Sequence, residues 1–166
     1  MVHRVKIRGL RGVELQEVLG WAGDPTFRGD FLPFSKASLD ETVKGLRKMV
    51  ASGHPRFLGI EKTSSHRLIG LLLYQRPQGF DYFEVGFYLL PSERGRGYGP
   101  EALKRLVGLL FEKNHVATIL AGTSSLNTPS QRALEKAGFK REGLWKKTLF
   151  RNGEWEDSII YALYRD

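Results

Sequence analysis

The stretch LLPSERGRGYGPEALKRL, Leu89 to Leu106, runs from a strand into a turn holding Gly95, Gly97 and Gly99, and from that turn directly into a helix. Glycine lets the backbone come close to a ligand and turn its N–H groups inward. The start of a helix adds unpaired donors and a partial positive charge. With the guanidinium groups of Arg94 and Arg96 beside them, these features make an anion site fit for a diphosphate. A hydrogen bond to a charged group contributes roughly 1.5–3 kcal/mol net, so several of them hold such a ligand firmly.

Other glycine-rich loops fit less well. A P-loop needs Gly-Lys-Ser/Thr where the helix begins, and this chain has Gly99-Pro100-Glu101 there. A dinucleotide fingerprint needs GxGxxG early in a βαβ unit, whereas the spacing here is GxGxG after a run of antiparallel-looking strands. A glycine-rich turn that binds nothing is the remaining alternative, but it leaves Arg94 and Arg96 beside unpaired donors without a purpose.

The rest of the chain falls into place around this loop. Val5 and Ile7 alternate with charged residues as in a strand, and Val13, Leu15, Val18 and Leu19 follow at helical spacing. The segment DPTFRGDFLPF, Asp24 to Phe34, is rich in turn formers and carries Phe27, Phe31 and Phe34. Ser38 with Glu41 reads as a capping box ahead of Leu39, Val43, Leu46 and Val50. Strands are expected at Phe57 to Lys62, Leu68 to Tyr74 and Tyr82 to Leu90. A helix follows from Pro100 to Lys113, then a short strand from Val116 to Gly122 and a short helix from Pro129 to Ala137, closed by Gly138. Strands from Lys140 to Phe150 and Trp155 to Tyr164 are joined around Asn152-Gly153, a strong hairpin signal. This is a mixed α/β order, neither a doubly wound sheet nor a barrel. No composition break, linker or repeat interrupts it, so residues 1–166 are read as one domain.

Composition excludes several functions. The chain has no cysteine, hence no disulfide, no thiolate metal site and no cysteine nucleophile. His3, His54, His66 and His115 have no metal-ligand spacing, so no metal is expected. Nothing resembles a signal peptide or a membrane span, and a cytoplasmic location is the default expectation. The net charge of +8 is spread from Arg4 to Arg165 without a dense block. Scattered charge favours a small phosphorylated ligand or a merely solvated surface over nucleic acid, which is not expected as a partner.

Arg94-x-x-Gly97-x-Gly99 resembles the coenzyme A diphosphate loop of the GNAT superfamily of N-acetyltransferases. NTPSQRALEKAGFKREG, Asn127 to Gly143, is similar to the second cofactor motif of the branch containing ribosomal-protein N-terminal acetyltransferases, and NGEWEDSIIYALYRD is typical of that branch. The resemblance covers nearly the whole chain. It implies an α/β fold of mixed α+β order: a central, mostly antiparallel twisted sheet of about seven strands flanked by about four helices. It also implies acetyl-coenzyme A as cofactor, a protein N-terminus or a small amine as acceptor, direct transfer in a ternary complex, and often a homodimer. The absence of cysteine agrees with direct transfer. Pro100, which has no N–H, departs from the pattern by removing one potential phosphate donor.

The resemblance also suggests roles for single residues. Leu89, Leu90, Arg94, Gly95, Arg96, Gly97, Tyr98, Gly99, Asn127 and Ser130 form the expected cofactor set. Glu84, on the strand entering the loop, is the candidate base for the amine, or else an ordinary strand glutamate. An α-amino group of pKa near 8 is roughly a tenth neutral at pH 7 and needs less help than lysine. The position where some members carry a tyrosine for the departing thiolate is Leu134. That leaves Ser130 as the available hydroxyl, with helix capping as its alternative role. Asn127 either contacts the pantetheine arm or is a turn residue. Phe27 and Phe31 either wall the acceptor site or pack their loop, and Asp157 either holds a cationic amine or belongs to a solvated hairpin. A coenzyme A-binding or sensing domain without catalysis is the competing function.

Overall fold

The computed structural model describes residues 3–28, 39–52, 56–151 and 153–165. Among these residues, seven strands form one sheet in the order β1-β2-β3-β4-β5-β7-β6. They are β1 (Val5–Arg8), β2 (Arg56–Lys62), β3 (Arg67–Gln75), β4 (Tyr82–Leu89), β5 (Thr118–Ser124), β6 (Lys140–Arg151) and β7 (Glu154–Tyr164). The helices are α1 (Gly12–Gly23), α2 (Pro25–Arg28), α3 (Leu39–Ser52), α4 (Tyr98–Lys113) and α5 (Thr128–Ala137). Neighbouring strands pair antiparallel except β4 with β5, which run parallel through the crossover helix α4.

Helices cover both faces of the sheet. Ala102, Leu103, Leu106, Val107 and Leu110 recur at helical spacing on α4 and are buried against Val85, Leu89, Ile119 and Ile159. Burying one such side chain stabilises by about 1.5–3 kcal/mol. On the opposite face, Val18 and Leu19 of α1 pack on Leu68 and Leu71 of β3, with Tyr88 of β4 beside them. Alternation along β4 therefore sends Phe83, Val85 and Leu89 toward α4, and Glu84, Gly86 and Tyr88 toward α1.

The structure shifts several expected boundaries. α4 begins at Tyr98, not Pro100, because Gly97 takes a left-handed conformation (φ 83°) and serves as the helix cap. Pro100 thus sits in the first turn, where backbone N–H groups have no intrahelical acceptor in any case. Residues 25–28, read as turn, make the one-turn helix α2, with Asp24 Oδ1 accepting from Thr26 N–H at 2.8 Å. β4 stops at Leu89, and Pro91–Glu93 winds into a single 3-10 turn. Gly138 closes α5 in the left-handed region as expected, and Gly153 does the same in the β6–β7 turn. Ser38 of the expected capping box, Phe31, Phe34 and Asn152 lie outside the described residues.

The β4–β5 ladder holds only the pairs Tyr82–Thr118, Phe83–Ile119 and Glu84–Leu120. Beyond them β4 stays bonded to β3 through Leu89, and β5 to β7 through Ser124. The facing edges of residues 85–89 and 121–124 consequently diverge into a wedge, and their inward backbone groups have no strand partner among the described residues. This wedge leads from Glu84 toward the loop that follows β4.

Candidate active site

The loop at the mouth of the wedge is a row of free donors. Glu93 N–H bonds Leu90 O and Arg94 N–H bonds Pro91 O, which closes the 3-10 turn. The first helical bond of α4 is Glu101 N–H to Gly97 O at 3.3 Å. Between these points the N–H groups of Gly95, Arg96, Gly97, Tyr98 and Gly99 have no partner among the described residues. Gly95 (φ 74°) and Gly97 (φ 83°) are both left-handed, a conformation that side chains resist. Gly99 is required for another reason: a Cβ there would lie 2.8 Å from Cε2 of Phe87, so its hydrogen lets α4 seat against β4.

Other members of the expected cofactor set are committed to the protein itself. Arg94 donates from Nε to Leu89 O at 3.0 Å and from Nη2 to Phe27 O at 2.9 Å. Burial lowers its guanidinium from the ordinary value. Arg94 therefore ties the end of β4 to α2, whereas the Arg96 side chain, also exposed, makes no hydrogen bond among the described residues. Leu89 is a core side chain, and Leu90 N–H bonds Ile69 O at 2.9 Å.

Glu84 stands at the apex of the wedge. Its Oε2 accepts from Gln75 Nε2 at 2.7 Å, across the β3–β4 register that pairs the two residues. The carboxylate is thereby oriented, with Oε1 left for another donor. Tyr88 shares this face four residues on, and burial pushes its phenol up to about 12, so it stays protonated at neutral pH. Leu120, Gly122 and Ser124 continue the same face on β5. Ser124 Oγ donates to Glu156 Oε2 at 2.6 Å, placing Glu156 on the Glu84 side of the sheet, where Arg151 Nε lies 3.4 Å from it.

At the head of α5, Asn127 caps the helix: its Oδ1 accepts from Ser130 N–H at 3.2 Å. The capping role considered for Ser130 thus falls to Asn127, and the Ser130 hydroxyl has no hydrogen-bond partner among the described residues. Leu134, in the tyrosine position, is buried in the core.

The expected acceptor residues separate. Phe27 is buried against Trp21, ring centroids 5.7 Å apart, and packs its segment down. Asp157 Oδ1 accepts Lys147 N–H at 2.9 Å, pinning a bulge where residues 146–148 oppose it and Lys147 adopts φ 53°. Strand alternation puts Asp157 on the opposite face from Glu156. Glu156 is the acid of this pair that faces the Glu84 side, a distinction that only the register makes.

Comparison with known proteins identifies the family. The sequence signature of the acetyltransferase (GNAT) domain matches residues 4–140. Probable N-acetyltransferase YjcK of Bacillus subtilis (strain 168) is 32% identical over 170 residues, 96% of this chain and 93% of that protein. The ribosomal-protein-serine acetyltransferase of Escherichia coli (strain K12) is 26% identical over 149 residues, 89% of this chain and 78% of that protein. The solved spermidine N-acetyltransferase from Vibrio cholerae, in complex with CoA and spermine, shares the fold with a TM-score of 0.80 at 19% identity, over 97% of this chain and 95% of that one. The matched span takes in the loop, the wedge and the heads of α4 and α5, and the chain belongs to the GNAT family of acetyltransferases.

Proposed function

We propose that this protein is an N-acetyltransferase that moves an acetyl group from acetyl-coenzyme A directly to a primary amine, either a protein N-terminus or a small amine, with both bound at once. In the overall reaction a C–N bond forms and the thioester C–S bond breaks. Starting from the ammonium, two protons leave the nitrogen: one passes through a base to solvent, and the other balances the one taken up by the departing sulfur. The observation that carries this reading is the wedge that starts beside Glu84 and ends at the free N–H groups of residues 95–99.

The residues present fit the cofactor. Free backbone donors at a helix start, with Arg96 beside them, suit the diphosphate, and the unpaired edges of β4 and β5 suit the amide-bearing pantetheine arm. Asn127 keeps its side-chain N–H₂ for the same arm. Acetyl-coenzyme A, when bound, supplies an acetyl group activated as a thioester. Glu84, held by Gln75, takes the proton from the acceptor ammonium at its free oxygen. Ser130 Oγ, which no protein group engages among the described residues, is the hydroxyl we assign to give a proton to the leaving sulfur. Glu156, on the Glu84 face, is assigned to recognise the acceptor's positive charge in preference to Asp157.

Thermal unfolding with acetyl-coenzyme A, and with NADH and ATP as controls, tests the cofactor. Ligand at about a hundred times its dissociation constant stabilises by roughly 2.7 kcal/mol, a rise of several degrees. No rise, or an equal rise with ATP, refutes the assignment. Release of free thiol over a panel of N-terminal peptides and small amines then tests transfer, because a domain that only senses the cofactor binds it and releases none.

A further inference from the structure

The guanidinium of Arg4, which lies just ahead of β1 and more than ninety residues away in sequence, grips the outer side of the candidate diphosphate loop. Its Nη1 donates to Arg96 O at 3.0 Å, and its Nε donates to Glu101 Oε2 at 2.9 Å. Its Nη2 sits 3.2 Å from where a Cβ on Gly97 would be, and its Cζ lies 5.2 Å from the centre of the Tyr98 ring. Glu101 is gripped from the same side, with Oε1 accepting from Arg4 N–H at 2.7 Å and Val5 N–H at 3.2 Å. The other end of the loop is tied in parallel, since Lys62 Nζ lies 3.3 Å from Glu93 Oε2 and Lys62 pairs with Val5 across the β1–β2 ladder. The cofactor loop is therefore slung between two ion pairs whose cations both come from the β1–β2 end of the sheet.

Two physical consequences follow. In a trans peptide the C=O and the following N–H point in opposite directions. Holding the Arg96 carbonyl outward against Arg4 therefore turns the Gly97 N–H inward, toward the space where an anion would lie. The second consequence is electrostatic. Glu101 lies in the first turn of α4, and an unmasked carboxylate there repels a bound diphosphate. Burial opposes its ionisation, yet the N–H groups of Arg4 and Val5 and the Arg4 guanidinium outweigh that and hold its carboxyl below the usual range. Glu101 is thus a charged anchor, and Arg4 both completes the anchor and cancels its field.

We propose that Arg4 is a positioning residue for the cofactor's diphosphate, aiming the Gly97 N–H through the Arg96 carbonyl and neutralising Glu101 at the head of α4. The inference rests on the acetyl-coenzyme A reading above and adds a residue outside the glycine loop to it.

Titration calorimetry with coenzyme A on purified protein and variants tests it. Arg4→Ala is expected to weaken binding about tenfold, the lower end of a charge-assisted bond because Arg4 is 55% exposed. Glu101→Gln in the Arg4→Ala background keeps an acceptor for the β1 N–H groups and removes the charge, so it is expected to regain about threefold. The Arg4→Ala penalty is also expected to shrink as salt rises, which a purely structural loss does not do. Arg4→Lys, which keeps the charge with less reach, covers the case in which the alanine variant does not fold, and an intermediate affinity is expected. Equal affinity in wild type and the Arg4 variants, or no regain in the double variant, overturns this inference and leaves the cofactor assignment standing. Wild-type protein that binds no coenzyme A overturns both.

Discussion

Glu84 faces Leu120 across the last rung of the β4–β5 ladder, so the carboxylate stands where the two strands part. Gln75 holds one of its oxygens. A glutamine at position 84 can still bond Gln75 but cannot take a proton. Glu84→Gln is therefore expected to lower kcat by about a hundredfold or more while the affinity for coenzyme A stays the same. Steady-state kinetics beside calorimetry checks this, and a kcat within about threefold of wild type removes Glu84 from the proton path.

Ser130 and Asn127 are separable by two readouts. Asn127 caps α5, so Asn127→Ala is expected to cost about 1 kcal/mol of stability, seen as a lower Tm. Ser130 contributes its backbone N–H to that cap and leaves its hydroxyl free, so Ser130→Ala is expected to leave Tm unchanged and to lower kcat by about tenfold. A Tm loss in Ser130→Ala with full kcat would reverse the assignment.

Gly99→Ala tests the seating of α4 on β4. The new methyl would meet Phe87 at 2.8 Å, an overpacking expected to cost about 1–3 kcal/mol. Phe87→Leu in the same chain is expected to recover part of the loss in a double-mutant cycle read by urea unfolding. Additive losses would show that the Phe87 ring is not what excludes a side chain at position 99.

Acid is expected to unfold the protein partly through Arg8. This arginine donates to Glu61 at 2.5 Å and to both oxygens of Glu14 at 2.7 and 2.8 Å, and all three side chains are largely buried. The Arg8 hydrogen bond lowers the Glu14 carboxyl from 4.5 to about 2 against the opposing effect of burial, and Glu61 is lowered by the same partner. Both carboxyls titrate lower in the folded chain than in the unfolded one. Their contribution is therefore full above about pH 4.5 and is lost as pH falls through the folded values. Arg8→Ala strands two buried carboxylates and is expected to cost about 3–5 kcal/mol at pH 7, and much less near pH 3. Urea unfolding at both pH values decides it, since an equal penalty would mean that charge is not the cause.

Much of the fold around the candidate site was legible because its signals are local. Three glycines at a strand-to-helix junction, Gly138 after an apolar helix face, and Asn152-Gly153 between two strand patterns each specify backbone geometry within a few residues. The differences have local causes too. Pro100 marked the helix start too late because a left-handed Gly97 begins it upstream. Asp157 is singled out by the family resemblance, which carries an acid there; that Glu156 and Asp157 face apart, with Glu156 on the Glu84 side, comes from the register.

The sequence by itself determined the order of elements and the glycine-rich strand-to-helix loop, since propensity, periodicity and turn chemistry act between near neighbours. Only the tertiary structure decided that β4 and β5 part after Glu84, that Arg94 is consumed by Leu89 and Phe27, and that Arg4 reaches across to Arg96 and Glu101. Each of these depends on the register of a twisted sheet and on a charged side chain meeting a partner from another element. Such pairings form only when the whole chain has packed.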